Sequence, residues 1–292
     1  MKIITPHDAK FFFAWYELFK KLIKKKKIFY LNNTVTIVPM AGKGQRFFKE
    51  GYSISKPFIK VTKDFMVNQA IKCLPKTNGI YFGRLKSNKK IRLKGHSVFF
   101  NKVLKGQACS TARILKNVPE NKSLLITSCD NGIIFDHKKF INLINNSKID
   151  IVVFSYTNNF ANLYNPEIYS WLKLKKNNSI EKVYVKKFIF KNPLKELAIV
   201  GTFYFKNKNI FINAFKSLLK NKQTTNNEYY IDDLINESIK LNYKVKNFTV
   251  DNYICWGTPN DLSVFQYFQK IFSAVNWHPY TMHKDFMYKN KK

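Results

Sequence analysis

"TVTIVPMAGKGQRF", residues 34–47, joins a β-branched apolar run to a loop that carries two glycines, a lysine and an arginine in five positions. The run from Thr34 to Met40 has the composition of a strand buried on both faces of a parallel sheet. Glycine takes positive φ and admits close backbone approach. Ala41, Gly42 and Gly44 can therefore turn main-chain N–H groups toward an anion. Lys43 and Arg46 add charge, and a guanidinium grips phosphate oxygens through two parallel hydrogen bonds. The loop is neither the GxxxxGK[ST] of a Walker motif nor the GxGxxG of a dinucleotide fold. A basic surface turn is the plainer reading of the same residues, and the rest of the chain decides between the two.

Beyond the loop, helical and strand patterns alternate. "FMVNQAIKCL" (65–74) has helical spacing and is stopped by Pro75, while "GIYFGRL" (79–85) and "SVFFNKVL" (97–104) read as strands. "CSTARILKNV" (109–118) is a helix before Pro119, "SLLITSCD" (123–130) a buried strand ending on Asp130, and "IDIVVFSY" (149–156) a further strand. Such alternation predicts an α/β fold with a doubly wound, mostly parallel sheet, whose ligands sit beyond the carboxyl ends of the strands. The glycine loop and Asp130 then share one rim. In the second half, residues 169–187 read as a hairpin and "LAIVGTFYF" (197–205) as a strand with Gly201 inside it. A glycine there weakens the strand unless something must come close. "IFINAFKSLL" and "IDDLINESIKL" are helices, "KVKNFTV" a last strand, and "WGTPNDLSVFQYFQKIF" a turn and helix capped at Asn260 or Asp261.

With 292 residues, 45% of them hydrophobic, the chain can bury a large core. Its formal charge of +33 attracts anions. The lysines are dispersed and no nucleic-acid module is recognisable, so a compositional drift is read and no nucleic-acid partner is expected. Cys73, Cys109, Cys129 and Cys255 form no CxxC pair and no zinc spacing, which fits a reducing cytoplasm. No run approaches the roughly 20 apolar residues of a membrane span. "FFFAWYELF" (11–19) precedes "KKLIKKKK" (20–27), the reverse of a secretory signal. An amphipathic helix from about Phe11 to Lys27 packs on its own domain, frays, or makes a weak contact with a membrane surface. The expected division is a basic, helical extension (1–33), one domain (34–270) and a C-terminal tail (271–292).

Ten residues past Arg46 stands Lys56-Pro57. GxGxRF followed by KP resembles the nucleotidyltransferase family that joins sugar-1-phosphates to nucleoside triphosphates, in particular the branch found in bacterial capsule and surface-polysaccharide loci. The similarity runs from Thr34 to Lys270. "KGQACSTA" (105–112) is similar to the segment that holds the base in that family, "LLITSCDNG" (124–132) to its metal strand and "IEKVYVKK" (180–187) to its EKP segment. "VGTFYFK" (200–206) is similar to its sugar strand, and "NNEYYIDDLI" (226–235) and "WGTPNDL" (256–262) to its last two motifs.

The resemblance implies a Rossmann-like, GT-A-like sheet with a lid-like second half, and Mg²⁺-dependent transfer of a nucleotide to a phosphorylated sugar or alcohol. An acceptor phosphate is already ionised at neutral pH, so catalysis needs positioning and cations rather than a general base. By similarity Arg46 grips the β and γ phosphates, Lys56 bridges the α-phosphate and acceptor, and Lys186 holds the acceptor phosphate. Ala41, Gly42, Lys43, Gly44, Gly106 and Gln107 hold the nucleotide, Gly201 and Glu228 the acceptor, and Asp130 the Mg²⁺. Where many relatives carry a second metal Asp this chain has Cys255, leaving Asp251 as the candidate if the turn brings it back. Val185 stands where relatives often have the Glu of EKP, and the segment from Leu85 to His96 is short and basic. A homo-oligomer is expected. Two other classes fit less of the pattern: a GT-A glycosyltransferase, which needs a DxD pair, and a non-catalytic regulatory or scaffold relative.

Overall fold

The structure, a computed structural model, describes residues 6–24 and 27–288. Residues 1–5 and 25–26 of the expected extension and 289–292 of the expected tail lie outside the described residues. The chain begins with α1 (Pro6–Leu22), β1 (Tyr30–Leu31) and β2 (Thr34–Pro39), the apolar run quoted above. The first five positions of β2 are buried, as its unbroken composition requires. After the glycine loop come α2 (Gln45–Lys49), α3 (Met66–Lys72), β3 (Lys76–Thr77), β4 (Ile80–Leu85) and β5 (His96–Phe100). Next are α4 (Gln107–Leu115), β6 (Ser123–Ile126), β7 (Asn131–Ile134), α5 (His137–Ile144) and β8 (Ile151–Tyr156). The second half holds the hairpin β9 (Trp171–Leu174) and β10 (Ile180–Tyr184), then β11 (Ala198–Phe205), α6 (Lys208–Lys220) and α7 (Ile231–Lys240). It closes with β12 (Val245–Thr249), β13 (Asn252–Cys255) and α8 (Pro259–Ala274).

The expected α/β sheet is present, with nine strands among the described residues, in the order β10-β9-β11-β6-β2-β4-β5; β8 branches from β11 and β12 pairs with β8. β6, β2, β4 and β5 are mutually parallel, so the loops after β2 and β6 open at the same edge. β11 runs antiparallel to both β6 and β8. Its register shifts between Ile199 and Phe203, around Gly201 at φ +88°, which is the bulge that the glycine inside the strand requires. Strand β8 shows how both faces are covered. Val152 and Phe154 face a core built with Phe19, Ala70, Phe140 and Phe265, while Ile151 and Val153 face one built with Ile114, Phe211 and Leu234.

Several boundaries differ from the sequence expectation. The N-terminal helix ends at Leu22, not Lys27; Ile23 just past it still packs on the core, but Lys24 and Ile28 are exposed. The strand expected over 97–104 stops at Phe100, and Val103 and Leu104 turn to line a cleft. The next helix starts at Gln107, since Gly106 at φ +98° forms its cap. Asp130 does not end a strand but lies in the link from β6 to β7, and β7 pairs with β13 in a separate ribbon. The cap of α8 is Thr258 rather than Asn260 or Asp261. Pro259 takes the first helical position, where no N–H is needed, and the Thr258 hydroxyl oxygen accepts from the Asp261 N–H at 3.1 Å.

Helix α1 belongs to the main core. Phe19 is fully buried, with its ring 5.5 Å from Phe265, 5.3 Å from Phe272 and 4.7 Å from Tyr280. The Phe286 N–H donates to the Leu22 carbonyl at 3.1 Å. The boundary read at residue 270 therefore falls inside α8, with residues on both sides of it packed on α1. Among the described residues no helix is long and apolar enough to cross a membrane. Phe19→Ala should cost about 3–5 kcal/mol in urea denaturation, the range for emptying a buried aromatic site. A loss below about 1 kcal/mol would mean that α1 is not part of the cooperative fold.

Candidate functional site

The two halves of the GxGxRF and KP pattern touch. Gly44 caps α2 in the left-handed region, at φ 64° and ψ 32°. A Cβ there would stand 3.1 Å from the Lys56 Cβ, so glycine serves both the turn and the approach of Lys56. Lys56 opens a tight turn in which Pro57 and Phe58 are buried, which fixes the base of its side chain. From there the Lys56 ammonium reaches Asp130 Oδ2 at 2.5 Å, while the Ser128 hydroxyl donates to Oδ1 at 2.7 Å. Burial works against both charges. Each nevertheless favours the other, so the Asp130 carboxyl is held below its ordinary range and the Lys56 ammonium above its own.

A second close approach shapes the opposite wall. A Cβ on Gly106 would lie 2.5 Å from the Tyr229 carbonyl oxygen and 2.6 Å from its nitrogen. Without one, the Ala108 N–H donates to the Tyr229 carbonyl at 3.0 Å and the Tyr229 N–H to the Lys105 carbonyl at 3.1 Å. This pairing brings Glu228 and Tyr230 to the cleft. The result is a cavity of about 220 Å³ lined by Ala41, Gly42, Gly44, Lys56, Gly106, Gln107, Asp130 and Glu228, eight of the residues read from the sequence.

The other expected residues stand around it. Gly201 lies behind the cavity wall, its carbonyl accepting from the Ser128 N–H at 3.1 Å. The Lys186 ammonium donates to the Ile168 carbonyl and sits 5.7 Å from the centre of the Tyr230 ring, a lining residue. Burial lowers its pKa, and Arg46 adds to this, while Asp232, Asp130 and Glu228 oppose it. Arg46 lines a neighbouring groove with Lys49, Thr258 and Asn260. Lys43 is exposed and is not among the cavity's lining residues.

Asp251 is not brought back. Its N–H donates to the Ile134 carbonyl, and β13 pairs Asn252 with Ile134 but Cys255 with Asn131. Four residues of extended chain carry it about 13 Å from Cys255. What adjoins Asp130 is Gly257, where a Cβ would be 3.4 Å from Asp130 Oδ2, 3.4 Å from Cys255 Sγ and 3.9 Å from Lys56 Nζ. The Cys255 thiol donates to Asp261 Oδ2 at 3.3 Å, and burial pushes its pKa up; burial likewise pushes that of the Cys129 thiol up to about 12. Among the described residues no group of three or more His, Cys, Asp or Glu could hold a metal. The donors present fit a hard cation that takes one carboxylate, Asp130, and the remainder from substrate phosphates and water. They do not fit a cage made of protein alone.

The sequence pattern does not mark Ser128, Tyr230, Ser170, Asp232 or Asp261 as site residues. Asp232 and Asp261 open amphipathic helices, where an acidic residue is expected for the helix dipole alone. Only their tertiary contacts distinguish them.

No family model and no curated protein matches the chain. Solved structures match it well in fold. A nucleoside-diphosphate-sugar pyrophosphorylase from Vibrio cholerae RC9 superposes with a TM-score of 0.61 at 17% identity, covering 79% of this chain and 98% of that one. The inositol-1-phosphate CTP transferase from T. maritima gives 0.62 at 16%, covering 83% and 97%. A UDP-glucose pyrophosphorylase complexed with UDP-glucose gives 0.63 at 14%, covering 81% and 99%. The chain thus has the fold of these nucleotidyltransferases.

The ion pair predicts a pH dependence. The folded pKa of Asp130 is lowered, so its contribution is present above the ordinary carboxylate range and lost as pH falls through the lowered value. That of Lys56 is raised, so its contribution is present below the ordinary lysine range and lost as pH rises through the raised value. Lys56→Met, which strands the carboxylate, should destabilise by up to about 3–5 kcal/mol at neutral pH. Asp130→Asn should flatten the acid limb of a urea-midpoint profile taken between about pH 3 and 11. An unchanged acid limb would show that the pair does not form.

Proposed function

We propose that the chain is a nucleotidyltransferase that transfers a nucleotide from a nucleoside triphosphate to a sugar-1-phosphate or a similar phosphorylated alcohol, releasing pyrophosphate. The observation that carries this reading is the convergence of the glycine loop, Lys56, Asp130, Gly106, Gln107 and Glu228 on one cavity at the carboxyl edge of β2 and β6. The names of the structural neighbours, with their nucleoside-diphosphate sugars and inositol-1-phosphate, point the same way.

An acceptor phosphate oxygen forms the new bond to the α-phosphorus. The bond from that phosphorus to the oxygen bridging the α and β phosphates breaks, and its electron pair leaves on pyrophosphate. No proton has to be removed from an ionised monoester, so the protein's work is alignment and charge. Main-chain groups of Ala41, Gly42 and Gly44 cradle the triphosphate, and Arg46 at the start of α2 meets its β and γ phosphates. Lys56 lies between the α-phosphate and the acceptor, and Lys186 holds the acceptor phosphate. The Gln107 amide reads the base, since it can both donate and accept. When bound, Mg²⁺ neutralises phosphate charge, with Asp130 as its protein ligand.

The same reading places the enzyme in the cytoplasm, as a homo-oligomer, in surface-polysaccharide synthesis. The neutral Cys255 beside Asp130 favours one alternative, a non-catalytic relative that keeps the cleft. Release of pyrophosphate from four nucleoside triphosphates, each offered with a panel of phosphorylated sugars and alcohols, separates the two. Turnover with at least one pair is expected. Arg46→Ala should reduce it on the order of 100-fold without a change in Tm. Asp130→Asn should abolish the Mg²⁺-dependent rate, and Asp251→Asn, remote at the far end of the β13 ribbon, should leave it near normal. No turnover with any pair, or near-normal turnover of Arg46→Ala, would contradict the assignment.

A further inference from the structure

Lys186 is held in an uncommon backbone conformation for a non-glycine residue, at φ +50°. The turn that contains it is tied down by a short relay. The Lys186 N–H donates to Ser170 Oγ at 3.4 Å, and the Ser170 hydroxyl donates to Asp232 Oδ2 at 2.6 Å. Ser170 is itself buried, and its carbonyl accepts from the Ile199 N–H of β11 at 2.8 Å. Three elements thus meet at one residue: the hairpin end that carries Lys186, the first turn of α7 and the strand that bulges at Gly201. The charged groups facing the Lys186 ammonium are Asp232, Asp130 and Glu228 on the favourable side and Arg46 on the unfavourable side. Asp130 is already paired with Lys56. Asp232 is therefore the chief carboxylate left to balance Lys186.

We propose that Asp232 is the positioning residue of the acceptor end of the cleft: through Ser170 it holds the Lys186 turn, and its carboxylate balances the ammonium that meets the acceptor phosphate. The identity of that phosphate as acceptor rests on the nucleotidyltransferase reading; the coupling of Asp232 to Lys186 does not. Asp232→Asn keeps an acceptor for the Ser170 hydroxyl and removes the charge, while Ser170→Ala keeps the charge and cuts the relay.

Competitive acetylation of Lys186 by acetic anhydride across pH, read by peptide mass spectrometry, reports its titration whether or not the enzyme turns over. Asp232→Asn should move the midpoint down by about one pH unit, the lower end of the effect of a nearby opposite charge. Asp232→Glu should restore it. Ser170→Ala should leave the midpoint in place but reduce several-fold the protection that inorganic phosphate gives Lys186 against acetylation. In the turnover assay Asp232→Asn should raise KM for the acceptor about tenfold, the effect of roughly 1.4 kcal/mol, with KM for the triphosphate unchanged. An unmoved midpoint in Asp232→Asn, or equal loss of affinity for both substrates, would overturn the proposal. Absence of pyrophosphate release by the wild-type protein would instead overturn the nucleotidyltransferase reading, and the labelling result would stand on its own.

Discussion

The ion pair between Lys56 and Asp130 is the constraint around which the cleft is arranged. It joins a turn after β2 to the link after β6, two segments 74 positions apart that meet only because the two strands are parallel neighbours. Bringing an ammonium and a carboxylate together in a half-buried place requires that nothing stands between them. Gly44 and Gly257 supply that space, and a Cβ at either would crowd or contact the pair. The pair also holds the site's charges in readiness. On the proposed function, a cation balanced by one carboxylate can turn to a phosphate without first being desolvated, the preorganisation that phosphoryl-type transfer would use.

The remainder of the site is built outward from that pair by backbone contacts. Tyr229 pairs with residues on both sides of Gly106 and so sets Glu228 and Tyr230 against the wall that holds Asp130. On the far side the bulge of β11 offers the Gly201 carbonyl to Ser128, whose hydroxyl orients Asp130. The turns and loops from which the charged side chains project are thus held by main-chain hydrogen bonds. The dispersed lysines of the surface supply an attractive field for anions, but the fixed geometry lies in these few contacts.

Much of this is legible in the sequence, for physical reasons. A glycine in a left-handed turn and a lysine before proline leave a local signature, and a carboxylate after a buried strand can be placed on a sheet edge before any contact is known. What depends on distant pairing is not legible. Asp251 is close to Cys255 in sequence, yet the pairing of β13 with β7 draws it along an extended strand to the other end of the ribbon. The relay from Lys186 to Asp232 crosses 62 residues between Ser170 and Asp232. Helix α5, absent from the sequence expectation, does carry a local signal: Asp136 caps it by accepting from the Lys138 and Lys139 N–H groups.

The claim that the glycine loop and the Lys56–Asp130 pair form a triphosphate site is tested most directly by unfolding the protein in the presence of each of the four nucleoside triphosphates. A ligand at a hundred times its dissociation constant adds about 2.7 kcal/mol to stability. The expected result is stabilisation by at least one triphosphate with Mg²⁺, and its loss in Lys56→Met measured against that variant's own baseline. Stabilisation by none of them, or an equal gain in wild type and Lys56→Met, would contradict the assignment.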